Sequence, residues 1–294
     1  MDLYGDNECS ANLLIPIYIS DDLSAIVTNK YIDLYQYIEF IYGSGTVIDP
    51  YKYIKILRDI LNALSCLHHQ NQQFTIIHGD IKPENMLLEL MPDNNIKNVF
   101  LFDFDGIAIM ANDGYKSINN YLNKKSRIEN FENKKEILNR LKKVTRVSPH
   151  NHNFIEKSEN SQPDIYQDVY SLAMSILFIL VVETNMMESF DALINDIQHD
   201  KKMTYDMIVA YINILFENNF EINKMTEVFG ENAVSYKQLY PEDSSTGKFY
   251  TFLKTFLIKM ILSRSISEKT NEDITAITLL RELETADEVQ EFII

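Results

Sequence analysis

Between two apolar runs, Ile76-Ile77 and Met86-Leu87-Leu88, the chain carries His78-Gly79-Asp80-Ile81-Lys82-Pro83-Glu84-Asn85. Apolar flanks of this length read as strands, so the polar stretch between them must turn within a few residues. A compact loop there brings a carboxylate, an ammonium two positions on and an amide five positions on to one small site. A second carboxylate, Asp103, ends the strand-like run Val99-Phe100-Leu101-Phe102 and opens Asp103-Phe104-Asp105-Gly106. Asp80, Asp103 and Asn85 make an oxygen donor set of the kind Mg²⁺ accepts alongside waters and phosphate oxygens. A lysine next to such a set neutralises a transferring phosphoryl group. Taken alone, each Asp reads as a turn former and the Lys as solvated; together they read as a phosphoryl-transfer site.

The rest of the chain supplies a frame. Residues 12–18 and 23–28 read as two short strands around the turn signal Ser20-Asp21-Asp22. A helical pattern begins at Ile32 and ends at Gly43-Ser44-Gly45. Asp49-Pro50 opens a second helix with a capping residue and an N-terminal proline. Its apolar positions, Ile54, Leu57, Ile60, Leu61, Leu64 and Leu67, recur at helical spacing. Asp168 is expected to cap an apolar helix running to about Glu183, and the remainder reads as almost entirely helical. Residues 249–262 and 272–284 are the clearest amphipathic segments.

Three segments carry a resemblance. HGDIKPEN resembles the H-R-D-x-K-x-x-N loop of eukaryotic-type protein kinases, LFDFDG resembles their D-F-G segment, and DVYSLAMSILFIL resembles the central helix of their large lobe. Upstream, the strands at 12–28 and the helix after them are similar to the last small-lobe strands, the hinge and the first large-lobe helix. The match covers roughly residues 12–108 and 163–283. It implies an α+β, mainly helical, protein-kinase-like fold with a reduced N-terminal β lobe and a helical C-terminal lobe. Residues 1–31 would be the small-lobe remnant and hinge. Residues 32–294 would be the large lobe, with a basic insertion at 113–147 in the activation segment.

The resemblance also implies roles. Asp80 would orient or deprotonate the acceptor hydroxyl, Lys82 would touch the γ-phosphate, and Asn85 and Asp103 would bind Mg²⁺. Thr28 would be the gatekeeper, Asn29, Lys30 and Tyr31 the hinge at the adenine edge, and Leu87 the residue under the adenine. His78 and Phe104 would pack as spine residues. Asp168 would hold the loop backbone from below. The implied activity is Mg²⁺-dependent transfer of the ATP γ-phosphate to a Ser/Thr hydroxyl of a protein.

The chain departs from the pattern in several places. It contains no G-x-G-x-x-G and no V-A-I-K-like strand. Gly79 replaces the usual Arg, which removes the cationic pocket for an activation-loop phosphate. Asp105 replaces a Gly and adds a carboxylate, read either as an extra metal contact or as a solvated turn residue. No A-P-E is present, and Ser148-Pro149-His150 is the nearest segment. Two further functions are therefore carried as expectations. One is a pseudokinase that serves as a protein-binding module. The other is a small-molecule kinase of the aminoglycoside or choline type, which also uses H-G-D loops.

Charge bounds the partners. The formal net charge is −16, which argues against general nucleic-acid binding. Residues 113–147 run the other way, with ten Lys/Arg against four acids. That segment reads as a docking arm for an acidic partner or as a solvated helix over an acidic face of its own domain. The apolar run at Leu172–Val182 is short for a bilayer span, which takes about 20 residues, so a buried core helix is expected there. No secretory signal is read at the N-terminus. Two cysteines, Cys9 and Cys66, show no metal or disulfide spacing and read as buried or incidental thiols. A cytoplasmic location is expected, in a host cytosol if the chain is a microbial effector.

Overall fold

A computed structural model describes residues 12–13, 18–19, 26–27, 30–43, 48–69, 74–104, 108–111, 165–199, 204–216, 234–263 and 274–292. The basic segment 113–147, Thr28, Asn29 and Asp105 lie outside them. The described chain is mixed α+β and mostly helical. Its strands are β1 (Tyr18–Ile19), β2 (Ile26–Val27), β3 (Ile32–Asp33), β4 (Phe74–Ile77), β5 (Met86–Leu90), β6 (Ile96–Leu101) and β7 (Ala108–Ala111). Its helices are α1 (Leu34–Gly43), α2 (Pro50–His69), α3 (Ile165–Glu183), α4 (Met187–His199), α5 (Thr204–Phe216), α6 (Tyr236–Leu239), α7 (Ser245–Ile261), α8 (Ala276–Thr285) and α9 (Asp287–Gln290).

All the strand ladders are antiparallel. β1 pairs with β2, β4 with β7, and β3, β5 and β6 form a three-stranded sheet in that order. Alternation splits this last sheet into two faces. Ile32, Met86, Leu88, Val99 and Leu101 point one way, and all but Ile32 are fully buried in the main core. Leu87 and Phe100, directly opposite each other, point the other way and stay half-buried. The first described residues are stitched to the same sheet. Leu13 bridges Leu101, and the Asn12 amide donates to Val99 O while accepting from Asn62 Nδ2.

Local signals decide the helix starts. The pattern read from Ile32 begins as helix only at Leu34, because Asp33 acts as the cap: its Oδ1 accepts Gln36 N at 2.8 Å. Asp49 caps α2 as expected, accepting Lys52 N at 3.1 Å, with Pro50 first in the helix. Asp168 does not cap α3. The helix starts three residues earlier, at Ile165, and Asp168 sits in its first turn. α3 is buried nearly all round, as expected of a helix apolar on every face. It is 19 residues long and apolar enough by length and composition to cross a membrane, but 78% of that window is packed inside the protein. The thiol reading of Cys66 is corrected: Cys66 is buried on α2 and disulfide-bonded.

At the C-terminal end of α3, Glu183 ties four segments together. Its Oε2 accepts the hydroxyls of Tyr53 on α2 and Tyr236 on α6, and its Oε1 accepts Ile48 N just before α2. Burial pushes the Glu183 carboxyl above its ordinary range, while these three hydrogen bonds pull it back down. Replacing Glu183 by Ala strands three buried donors, each of which costs about 1–3 kcal/mol. Urea denaturation of Glu183→Ala is expected to show a loss of about 3 kcal/mol or more, with Tyr53→Phe losing less than half of that.

Candidate functional site

The loop 78–85 leaves β4 at Ile77, passes a single 3₁₀ turn at Pro83–Asn85 and enters β5 at Met86. It is held from below by one side chain. The Asp168 carboxylate, 1% exposed, accepts His78 N at 2.8 Å on Oδ2 and Gly79 N at 2.9 Å on Oδ1. Oδ2 also takes His68 Nε2 at 2.9 Å. Asp168 therefore holds the loop backbone as the sequence led us to expect. Gly79 has φ of 77°, a left-handed conformation that glycine adopts without penalty. Sequence comparison with the kinase pattern showed only a missing Arg; the backbone gives a reason for Gly.

His78 carries the constraint across to the next strand. Its Nε2 donates to Phe102 O at 2.9 Å and its Nδ1 accepts Asp80 N at 3.3 Å, which fixes the neutral Nε2–H tautomer. Its ring packs on Phe104 with centroids 5.2 Å apart, so these two residues touch as expected. Phe102 N in turn donates to Asn85 O at 3.0 Å. Burial lowers the His78 pKa, against the opposing pull of Asp168, the Phe102 carbonyl, Asp80 and Asp103. One imidazole thus senses three carboxylates.

Asp80, Lys82 and Asn85 converge. Asp80 Oδ2 sits 3.0 Å from Lys82 Nζ and accepts Asn85 Nδ2 at 3.1 Å. Asn85 Nδ2 also donates to Asp80 O at 2.8 Å, which leaves the amide oxygen as its acceptor end. The Asp80 side chain is only 9% exposed, yet its Oδ1 is buried with no hydrogen-bond partner. A buried carboxylate oxygen without a partner is costly and calls for an explanation. Asp103 follows β6 with φ of 62°, an uncommon conformation for a residue with a side chain and one found often at functional sites.

The other expected site residues are placed less completely. Lys30 is exposed and Tyr31 half-buried, immediately before β3. The Tyr31 ring lies 5.1 Å from that of Phe100. Leu87, opposite both Asp33 and Phe100, shares their sheet face, and Phe102 is 40% exposed just beyond. The result is a partly open apolar floor beside the polar loop. Phe100, Phe102 and His68 were not singled out from sequence; an aromatic at every second position of FLF was the available signal. Among the described residues, no group of three or more His, Cys, Asp or Glu side chains gathers as a metal site.

Comparison with known proteins gives no matching family model and no matching curated protein.

Two outcomes follow from this geometry. Asp168→Ala removes the acceptor of His78 N, Gly79 N and His68 Nε2 together, and is expected to cost about 3 kcal/mol or more, with faster amide exchange at His78 and Gly79. The second concerns pH. The unfolded chain protonates His78 near its ordinary 6.5, while the folded chain resists the proton. Stability from this residue is therefore complete above pH 6.5 and is lost as pH falls from there toward the lowered folded value. Urea midpoints of wild type between pH 7.5 and 5.5 should fall more steeply than those of His78→Phe.

Proposed function

We propose that the chain is a protein-kinase-like phosphotransferase that moves the γ-phosphate of ATP to a Ser/Thr hydroxyl of a protein with Mg²⁺. The observation that carries the reading is the Asp80 carboxylate, buried, with Oδ2 held by Lys82 and Asn85 and Oδ1 left without a partner. An acceptor hydroxyl donating to Oδ1 satisfies that atom. Asp80 would then orient the hydroxyl and take its proton as the new oxygen–phosphorus bond forms and the bond from the γ-phosphorus to the ADP oxygen breaks, with ADP leaving.

The donor set fits the cofactors. Mg²⁺ needs only one or two carboxylates, together with phosphate and water oxygens, so the lack of a three-residue cluster among the described residues does not count against it. Asn85, through its amide oxygen, and Asp103 would hold the ion. ATP would supply the phosphoryl group, and Mg²⁺ the charge that offsets its oxygens. Lys82 adds a fixed cation at the same place. Tyr31 and Leu87 offer the apolar floor for a base, joined by Phe100; Lys30 would belong to the adenine edge, as would Thr28 and Asn29, which lie outside the described residues. The small-lobe remnant at 1–31 and the large lobe at 32–294 belong to the same reading. A kinase-like binding module without turnover is favoured by one observation, the lack of a Gly-rich loop and strand lysine in the sequence.

Turnover separates the readings. With Mg²⁺ and labelled ATP, wild type is expected to label a Ser/Thr peptide panel, and Asp80→Ala to lose about 10²–10⁴-fold in rate. Activity that survives Asp80→Ala contradicts the assignment. Labelling of small alcohols alone moves it to the small-molecule branch, and no labelling of any acceptor moves it to the binding module.

A further inference from the structure

Cys66, in the last turns of α2, is disulfide-bonded and 3% exposed. The chain has two cysteines, and the other is Cys9, which lies outside the described residues. We infer that the bond joins Cys66 to Cys9 of the same chain and works as a redox latch, holding Asn12 and Leu13 on the outer edge of β6, the strand that leads to Asp103. The inference concerns the order of that strand and stands apart from any activity at the polar loop.

One face of α2 meets that edge. Asp59, Asn62 and Cys66 follow at steps of three and four, which places them on one stripe of the helix. Asp59 Oδ1 accepts Lys55 Nζ and its Oδ2 accepts Val99 N, both at 2.9 Å. Asn62 Nδ2 donates to Asn12 Oδ1 at 2.8 Å, and Asn12 Nδ2 donates to Val99 O at 3.1 Å. Two positions further along β6, Leu101 bridges Leu13, which is 4% exposed.

These contacts close a sheet edge. Val99 stands opposite Leu88 of β5, yet both its backbone polar groups turn the other way, to Asp59 and Asn12. Unpaired N–H and C=O groups on an edge strand are a liability that proteins cover. Asp59 covers one of them from a helix. Asn12 and Leu13 cover the rest, held by two amide hydrogen bonds, one bridge and one buried leucine. Such hydrogen bonds add little net of those to water. A covalent tie three residues away restricts where Asn12 and Leu13 go when they let go, and so favours their return.

Chain length agrees with this pairing. Asn12 already touches Asn62, and Cys66 lies four residues on, about 6 Å along the helix. The three residues from Cys9 to Asn12 span up to about 10 Å. The latch opens by exchange with a dithiol. One thiolate attacks a sulfur of the bond, the Cys9–Cys66 bond breaks as a mixed disulfide forms, and the second thiol of the reductant displaces it. Two electrons and two protons pass from the dithiol, which ends as a disulfide, to two protein thiols. The thiol–disulfide poise of the surroundings then sets whether the edge of β6 is covered.

The test uses the full chain purified in oxidised glutathione. Iodoacetamide added in denaturant is expected to label neither cysteine before dithiothreitol and both after it, with the unreduced chain running as a monomer. Hydrogen exchange read by mass spectrometry then compares the two states in buffer. Dithiothreitol is expected to speed exchange at residues 99–101 by about tenfold or more, and to leave the core of α7 at residues 253–257 unchanged. Cys9→Ser without reductant should match reduced wild type at residues 99–101 and should not respond to dithiothreitol. Because residue 9 is not in the core of the described protein, this variant keeps the test open even if Cys66→Ser fails to fold. The inference is overturned by free thiols in the oxidised preparation, by a disulfide between two chains, by unchanged exchange at 99–101 on reduction, or by an equal rise in α7.

Discussion

One buried carboxylate organises the candidate site. Asp168 takes two backbone N–H groups of the loop 78–85 and a histidine of α2, in a place nearly closed to water. Hydrogen bonds to a charged acceptor in such surroundings are stronger than neutral ones. They hold His78 where its ring reaches Phe102 O, and Phe102 N reaches Asn85 O. Asp103 is the next residue after Phe102. A single side chain thus fixes, through one imidazole and one peptide unit, the backbone from which Asp103 leaves β6. Without that acceptor, the loop has no reason to keep Gly79 left-handed or to bury Asp80.

The helix that carries Asp168 carries a second anchor. Glu183 lies fifteen positions further on α3, about 22 Å away at 1.5 Å per residue. The two ends do different work. Asp168 gathers the loop and α2, while Glu183 gathers Tyr53, Tyr236 and the start of α2. Between them the helix is apolar, and its one serine pair is satisfied internally, Ser175 Oγ donating to Ser171 O. An apolar rod with a buried carboxylate near each end explains why α3 is buried along its length and yet is the helix from which polar geometry is set. Tyr236, one of the Glu183 donors, also packs its ring against Phe216, Tyr240 and Tyr250.

Much of this was legible in the sequence because the signals are local. Asp49-Pro50, the apolar spacing of α2, the long apolar run of α3 and the strands around HGDIKPEN are each written within a few residues. The convergence of Asp80, Lys82 and Asn85 was legible for the same reason. What could not be read depends on distance along the chain. Glu183 looks like an ordinary helix-end acid until Tyr53 and Tyr236 arrive from 130 and 53 residues away. Asp168 looks like a cap because a helix start and a loop anchor both call for an Asp. The helix began earlier only because Ile165, Tyr166 and Gln167 continue it. The orphan Oδ1 of Asp80 has no signature at all in one dimension, and neither does the disulfide at Cys66.

The central claim is that the polar loop and Asp103 form one site for a nucleotide and its metal. Calorimetric titration of the chain with ATP, with and without Mg²⁺, tests it directly when Asp103→Ala is run beside wild type. The account predicts Mg²⁺-dependent binding to wild type and loss of that dependence in the variant. No binding of ATP to wild type under either condition, or binding equally strong with Asp103 replaced, would contradict it.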